Sequence, residues 1–347
     1  MQIVSALDVH RQQITFKTLD LESGEVERGR ILPVTRERVR EWLERFDTRD
    51  AHIVLEGTTG WRFVVEEVEA AGLTAHLADP AESAARRGRK GRAKTDRADC
   101  EHLLQLLLAE RLPESWLPPP HLLELRTRVR LRKALVDERR EWQQRLQAQL
   151  FHQGVRAGIQ LTSAAGRAEL AKLALTPAAQ QLVEVGLRTI AHLDAELRPL
   201  DRELAAFARR QPGCRALVAR LYGVGPLTSV AILAELGDCR RFARSDDAVR
   251  HSGLDVTVFA SDERRAPGHL ARQGPALLRW ALYEAAQSAA KRTSPDHAYY
   301  LEVRRRLNHK RACLSVARKL CRRAHHILRE LGDQALAPAA EALAEAA

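Results

Sequence analysis

The sequence predicts an α/β domain at the N-terminus followed by a remainder built from helices, and three observations carry that reading. The first 110 residues mix short β-rich runs with helical stretches, whereas beyond a proline cluster at 113–120 the apolar residues recur almost only at helical spacing. The chain has 347 residues, enough for two hydrophobic cores. Hydrophobic residues make up 45% of it, the composition of a globular protein and not of a disordered tail.

Taken in order, residues 2–9 (QIVSALDV) and 12–20 (QQITFKTLD) are β-rich runs separated by a polar break. Glu22-Ser23-Gly24 is a turn signal, and a third run, 25–32, follows it, so the three strands form an antiparallel meander. Residues 35–46 open on a Thr N-cap and place Val39, Trp42, Leu43 and Phe46 at helical spacing. A strand at 51–56 (AHIVLE), a helix from 60 to 71, a strand at 74–79 and a helix from 96 to 110 complete the unit. A mixed sheet in the order βββαβαβα is the order of the RNase H-like fold, and the boundary of that domain is placed at residues 1–112.

Prolines in PESWLPPP (113–120) interrupt the pattern, because proline breaks helices and stiffens linkers. Residues 121–153 and 178–210 then read as two long, charged, amphipathic helices, a linker and helical arm spanning 113–211. Such a pair forms an antiparallel hairpin, a coiled-coil arm between subunits, or a spacer. A compact all-α domain follows at 212–332, and an Ala-rich tail closes the chain at 333–347. There is no internal repeat.

Lys and Arg number 56 against 45 Asp and Glu, a formal net charge of +11. A chain this basic is attracted to polyanions, of which nucleic acid is the commonest inside a cell; an ordinary basic soluble protein is the plainer explanation, and position decides between them. Aromatic residues are only 5%, against an extended base-stacking platform. Five scattered cysteines (Cys100, Cys214, Cys239, Cys313, Cys321) suit a reducing compartment and not a disulfide framework. The N-terminus reads as a strand and no apolar run is long enough to span a bilayer, so a cytoplasmic protein without membrane contact is expected.

Four acids stand at telling positions. Asp8 ends the first strand inside ALDV, where a charge is expensive to bury unless it is paired or binds metal. Glu56 occupies the matching place at the end of the 51–56 strand. Asp96 and Asp99, in KTDRAD, lie at i and i+3 and share one helical face. In a mixed sheet of this order the first and fourth strands are neighbours and the closing helix crosses their ends, which would gather all four. Clustered carboxylates repel unless cations neutralise them, and hard oxygen ligands suit Mg²⁺ or Mn²⁺. Each acid alone has a duller role: Asp96 as a helix cap, Asp99 on the helix dipole, Glu56 as an ordinary strand end. Arg86, Arg87, Arg89, Lys90, Arg92 and Lys94 form a basic loop that leads straight into Asp96 and could bring phosphates to the acids. Its likeness to a P-loop fails, since Ala93 stands where the second glycine belongs.

In the helical domain, 217–236 reads helix, Gly223-Val224-Gly225 turn, helix. This is the pattern of a helix–hairpin–helix whose glycines let backbone approach a phosphate, or of any tight αα turn. Ser261 sits in a polar segment flanked by Arg264, Arg265 and Arg272, cations fit to bind a phosphate. A lone loop serine is usually a turn residue, and its hydroxyl needs activation to act as a nucleophile. Cys313, Cys321 and His325 share one helical stretch and read as buried small side chains, not as a zinc site.

Together, LDV at Asp8, LEG at Glu56 and KTDRAD at Asp96 and Asp99, with GVG at 223–225, SGLDVTVFAS ending at Ser261, GHLARQG at 268–274 and LLRWAL, resemble the insertion-sequence 110 family of transposases, the DEDD recombinases. The resemblance runs over nearly the whole chain. It implies that Asp8, Glu56, Asp96 and Asp99 coordinate Mg²⁺ and that Ser261 attacks a phosphodiester to form a covalent link to DNA. Where the family's pattern pairs two serines, this chain has Ala260-Ser261, leaving Ser261. It further implies double-stranded DNA at the element ends and target as substrate, a structured guide RNA as partner, and a homo-oligomer, dimer or tetramer, in which one subunit's RuvC-like domain works with another's serine domain. A RuvC-like resolvase using water, and a non-catalytic DNA- or RNA-binding remnant, remain the alternatives.

Overall fold

Alternation along a strand sends successive side chains to opposite faces, and in this chain it decides where the polar residues go. In the computed structural model the described residues are 1–347 apart from 48, 88–94, 156–157, 257–259, 262–263, 266–267 and 339–347. They fall into two compact units, Met1–Leu117 and Pro118–Ala347.

The first unit is a five-stranded mixed sheet in the order β3-β2-β1-β4-β5. β1 (Ile3–Val9), β2 (Ile14–Asp20) and β3 (Val26–Ile31) form the antiparallel meander. β4 (Ala51–Glu56) and β5 (Thr74–Ala78) then run parallel to β1. Parallel neighbours need a crossover. α1 (Arg36–Leu43), capped by Thr35, precedes β4, and α2 (Trp61–Ala70) joins β4 to β5. Ile3, Leu7 and Val9 of β1 and Ile53 and Leu55 of β4 pack with Val39, Trp42, Val64 and Val68 on one face. Val4, Ala6 and Val54 point the other way, onto Cys100, Leu103, Leu104 and Leu107 of the helix Asp96–Leu108. Leu7, Ile53 and Leu55 are fully buried, each worth about 1.5–3 kcal/mol, so the register of β1 against β4 is firmly set.

A short helix, α3 (Pro80–Ala85), lies between β5 and α4 (Asp96–Leu108) and departs from the expected order. Its cause is local: Asp79 accepts from the amides of Ala81 and Glu82, both at 2.9 Å, and Pro80 sits at the first helical position.

The second unit is mostly helical. α5 (Pro120–His152) and α7 (Pro177–Arg210) pack along one another, with α6 (Ala164–Leu170) in their connection. Arg132–Asp201 and Arg139–Asp194 ion pairs, at 2.5 and 2.7 Å, run in opposite numerical directions, so the pair is an antiparallel hairpin within the chain. α8 (Pro212–Arg220), α9 (Pro226–Leu236), α10 (Ser245–His251), α11 (Ala276–Gln287), α12 (His297–Arg306) and α13 (His309–Leu331) follow. The expectation of an all-α remainder needs one correction. β6 (Ala260–Ser261) pairs antiparallel with β7 (Arg264–Arg265), and Val256 bridges Leu270. The β-branched and aromatic stretch VTVF leading into Ala260 favours extended backbone over helix. Among the described residues no helix is long and apolar enough to cross a membrane.

Candidate metal centre

The alternation that sends Val4 and Ala6 toward α4 continues to Asp8, and the one that sends Val54 there continues to Glu56. Leu7 lies opposite Leu55, so the two acids end adjacent parallel strands at the same level. Gly60 helps bring the following turn over β1: at φ +96° it approaches Val9 so closely that a Cβ would stand 3.3 Å from Val9 Cγ1.

From the other side comes the N-terminus of α4. Thr95 caps it, its hydroxyl accepting from the Ala98 amide at 3.2 Å, which orients the first turn bearing Asp96 and Asp99. Acids there are favoured by the positive end of the helix dipole. Asp8, Glu56, Asp96 and Asp99 thus all line one open cleft of about 460 Å³, with His10, Arg11, Thr58, Thr59 and Thr95.

Within the cleft, His10 was not foreseen. Its Nε2 lies 3.1 Å from Asp8 Oδ2 and 3.8 Å from Asp96 Oδ1. Asp8, His10 and Asp96 each offer a ligand atom within 4.8 Å of the others. Gln13 donates to the second oxygen of Asp96 at 2.8 Å and holds it in place. The sequence signal for it is a histidine two residues beyond a strand-end aspartate.

Burial holds the Asp8 carboxyl above the usual carboxylate range; His10 counteracts this, and the charges of Asp99 and Asp96 add to it. Beneath it, Cys100 donates its thiol to the Thr15 carbonyl at 3.2 Å. Burial first, and the charge of Asp8 after it, push that thiol up to about 12, so it stays protonated and inert. Asp99 faces Arg87 across 2.5 Å, yet its buried Oδ1 lacks a well-aligned hydrogen bond. A close charge contact with poor alignment is held by attraction and not by a fixed hydrogen-bond geometry.

Other expected residues are placed as follows. Arg86 donates to the Arg111 carbonyl and lies 3.5 Å from Glu82, so both it and Arg87 are engaged inside the first unit. Arg89, Lys90, Arg92 and Lys94 lie outside the described residues, as do the side chains of Ser261, Arg264 and Arg265. Ser261 and Arg264 are backbone partners in the β6–β7 pair. Arg272 adopts a left-handed backbone, φ +56°, and its amide donates to the Gly253 carbonyl at 3.3 Å. Gly223, at φ +88°, lies against α11: a Cβ there would stand 2.4 Å from the Ala285 carbonyl oxygen. Gly225 caps α9, its amide donating to Thr228 Oγ1 at 2.8 Å.

Comparison with known proteins places both ends of the chain. Residues 6–152 match a transposase family of the DEDD, IS110 type. Residues 215–301 match the family described as "Transposase IS116/IS110/IS902 family". The chain is 29% identical over 249 residues to "Putative transposase y4rJ" of Sinorhizobium fredii, covering 63% of this chain and 60% of that relative. It is 26% identical over 151 residues to "Transposase for insertion sequence element IS1111A" of Coxiella burnetii, 42% of this chain and 41% of the relative. The chain therefore spans about 60% or less of the length of these relatives.

Proposed function

The chain belongs to the IS110, IS116 and IS902 family of transposases, and from that premise we propose that it is a metal-dependent DNA transposase that cuts and rejoins DNA through a serine–DNA ester. The observation that carries the reading is the convergence of Asp8, Glu56, Asp96 and Asp99 on one cleft. The strand order, with three antiparallel strands, two parallel ones and α4 across their ends, supports an RNase H-like identity for the first unit.

The donor set fits a hard divalent cation, Mg²⁺ or Mn²⁺. Asp8 is raised by burial and by neighbouring acids, and Asp99 Oδ1 is buried without an aligned donor. Asp8, Asp96, Asp99 and Glu56 would hold it, with His10 beside them. When bound, the ion supplies Lewis-acid polarisation of a phosphodiester and neutralises charge that develops on its oxygens.

The chain's own groups do the rest. Asp8 and Glu56 are fixed by strand register and Asp96 by Gln13, so these three carboxylates are in place before substrate arrives, while Asp99, on the first turn of α4, is shared with Arg87. Ser261 Oγ attacks phosphorus, its proton passing to a base; a phosphoserine ester forms and a deoxyribose hydroxyl leaves. A second DNA hydroxyl then attacks that ester, joining the new strand and restoring the serine. Double-stranded DNA, a structured guide RNA and a homo-oligomeric assembly belong to the same proposal and rest on the family.

The test uses labelled element-end DNA, guide RNA and Mg²⁺ with wild type, Asp8→Ala and Ser261→Ala. A covalent protein–DNA adduct on a denaturing gel, lost in both variants, is expected. Cleavage that survives Ser261→Ala would replace serine by water as nucleophile. Binding without cleavage by any of the three would leave only a DNA-binding remnant.

A further inference from the structure

The arginines of the first unit are partitioned by sheet face. On the α1–α2 side they are paired: Arg36 with Glu66 and Glu67, Arg38 with Glu41, Arg40 with Glu67, Arg45 with Glu27, Arg62 with Glu66. On the α4 side Arg87 pairs with Asp99 and Arg86 with Glu82, but the arginines of β3 and the one at the start of α4 are left over. Strand β3 divides along its own alternation: Glu27 takes Arg45, while Arg28 and Arg30 fall on the opposite face, in register with Lys17 and Thr15 of β2.

Arg28, Arg30 and Arg97 of α4 are exposed, and among the described residues none of them forms an ion pair. Glu101, whose carboxyl also feels the charge of Arg28, is bonded by Lys17. Together with Thr15, Lys17 and Cys100, these three arginines line one small cavity of about 70 Å³. Cys100 is shared ground, since its thiol lies under the charge of Asp8. The register also ties the two places together: Asp8 pairs with Thr15, and Thr15 with Arg30, in one row across the sheet. At about 4.8 Å per strand that row puts Arg30 about 10 Å from Asp8 in backbone terms.

We propose that Arg28, Arg30 and Arg97 form a phosphate track that holds the DNA backbone beside the scissile bond as the strand enters the acid cleft. This rests on the reading of that cleft as a DNA-cutting site and adds positioning residues to it. Four acids repel a polyanion. Cations two strands away let the backbone dock next to them while one phosphate faces the carboxylates. Unpaired guanidinium groups suit the task because each presents a planar fork to phosphate oxygens. Charges on an edge strand also discourage edge-to-edge pairing; that role would leave DNA binding untouched, which separates the two explanations.

The experiment uses the full chain carrying Arg28→Gln, Arg30→Gln and Arg97→Gln, with fluorescein-labelled duplex DNA read by anisotropy in EDTA across a salt series. Arg38→Gln, exposed but paired on the opposite face, is the control. The track predicts weaker binding in the triple variant and a slope of log affinity against log salt smaller by about 3, one per lost phosphate contact. Arg38→Gln leaves both unchanged, and a triple Arg→Lys variant recovers most of the salt slope. Thermal melting of every variant at wild-type temperature guards against misfolding. An unchanged slope in the Gln variant overturns the proposal. So does a loss confined to a labelled RNA hairpin with DNA binding intact, which would assign the row to RNA. If the wild type forms no covalent adduct but the triple variant still loses DNA affinity, the recombinase reading fails and the track stands; adduct formation with normal binding in the triple variant is the converse.

Discussion

Substituting Gly223 by Ala separates two explanations of the 223–225 turn. In the fold, Gly223 has φ +88°, and a Cβ would meet Ser288 Oγ at 2.0 Å, Ala285 O at 2.4 Å and Ser288 Cβ at 2.9 Å. Ser288 cannot simply swing aside, because its hydroxyl donates to the Ala285 carbonyl at 2.6 Å. Left-handed backbone costs a non-glycine residue about 1–2 kcal/mol. Overpacking against backbone adds about 1–3 kcal/mol, for a total of roughly 2–5 kcal/mol. At about 2–4 °C per kcal/mol for a unit of this size, melting should fall by about 4–20 °C. Gly225→Ala is the contrast: its φ is −97° and the nearest atom to a Cβ is Thr228 Oγ1 at 4.0 Å. Its cost should stay below about 1 kcal/mol. Circular dichroism melts of both variants, with DNA anisotropy alongside, make the comparison. A glycine needed for phosphate approach would show the reverse pattern at 223, stability kept and affinity lost. A Gly223→Ala protein that melts with the wild type refutes the packing argument.

Four further outcomes follow from the same geometry. His251 accepts or shares a bond with Arg241 at 3.1 Å, and burial, then Arg241, lowers its pKa to about 4. The unfolded chain therefore takes up that proton first, and stability is full above pH 6.5 and declines from there toward pH 4, by about 3 kcal/mol at most; His251→Gln should flatten this part of the Tm–pH curve, and an unchanged curve rejects the assignment. Asp8→Asn should melt higher than wild type in EDTA and lose the Mg²⁺-induced shift, which reaches about 2.7 kcal/mol in wild type at a hundredfold excess over Kd; an equal Mg²⁺ response in the variant would remove Asp8 from the ligand set. Arg87→Gln should tighten Mg²⁺ binding measured by calorimetry, since the guanidinium 2.5 Å from Asp99 competes for that carboxylate; weaker or equal binding counts against competition. Arg130→Ala takes away two hydrogen bonds, at 2.9 and 3.0 Å, from Glu235, whose side chain is 2% exposed. Urea unfolding should register about 2–3 kcal/mol, less than for a wholly buried pair because Arg130 is itself exposed.

Much of the fold was legible because the apolar pattern changes period where the architecture does. AHIVLE maps residue for residue onto β4, and the two long charged stretches became α5 and α7 within a residue of their expected ends. The cleft was legible for the same reason: a charge that continues an apolar alternation, at Asp8 and at Glu56, is placed on a face by its neighbours. Pairing partners were harder. That Arg87 would face Asp99, or that His10 would reach both Asp8 and Asp96, depends on how a loop returns to the sheet, and spacing alone does not encode the return. α3 was missed although Asp79-Pro80 announces it, because six residues are too few to display a helical period. The β6–β7 pair escaped notice for a similar reason, two residues per strand being below any visible alternation.

The register of β1 has a bearing on how this chain can change. Because Leu7 and Asp8 face opposite ways, deleting or inserting one residue between Ile3 and Asp8 would turn the carboxylate into the apolar layer and Leu7 into the cleft. Length changes of one are thus forbidden in that strand, whereas the turn around Gly24, which has open space about it, accepts them. Over generations, substitutions can drift through the interior while the reading frame of this one strand stays locked, so lineages should differ in loop length long before they differ in the distance from Ile3 to Asp8.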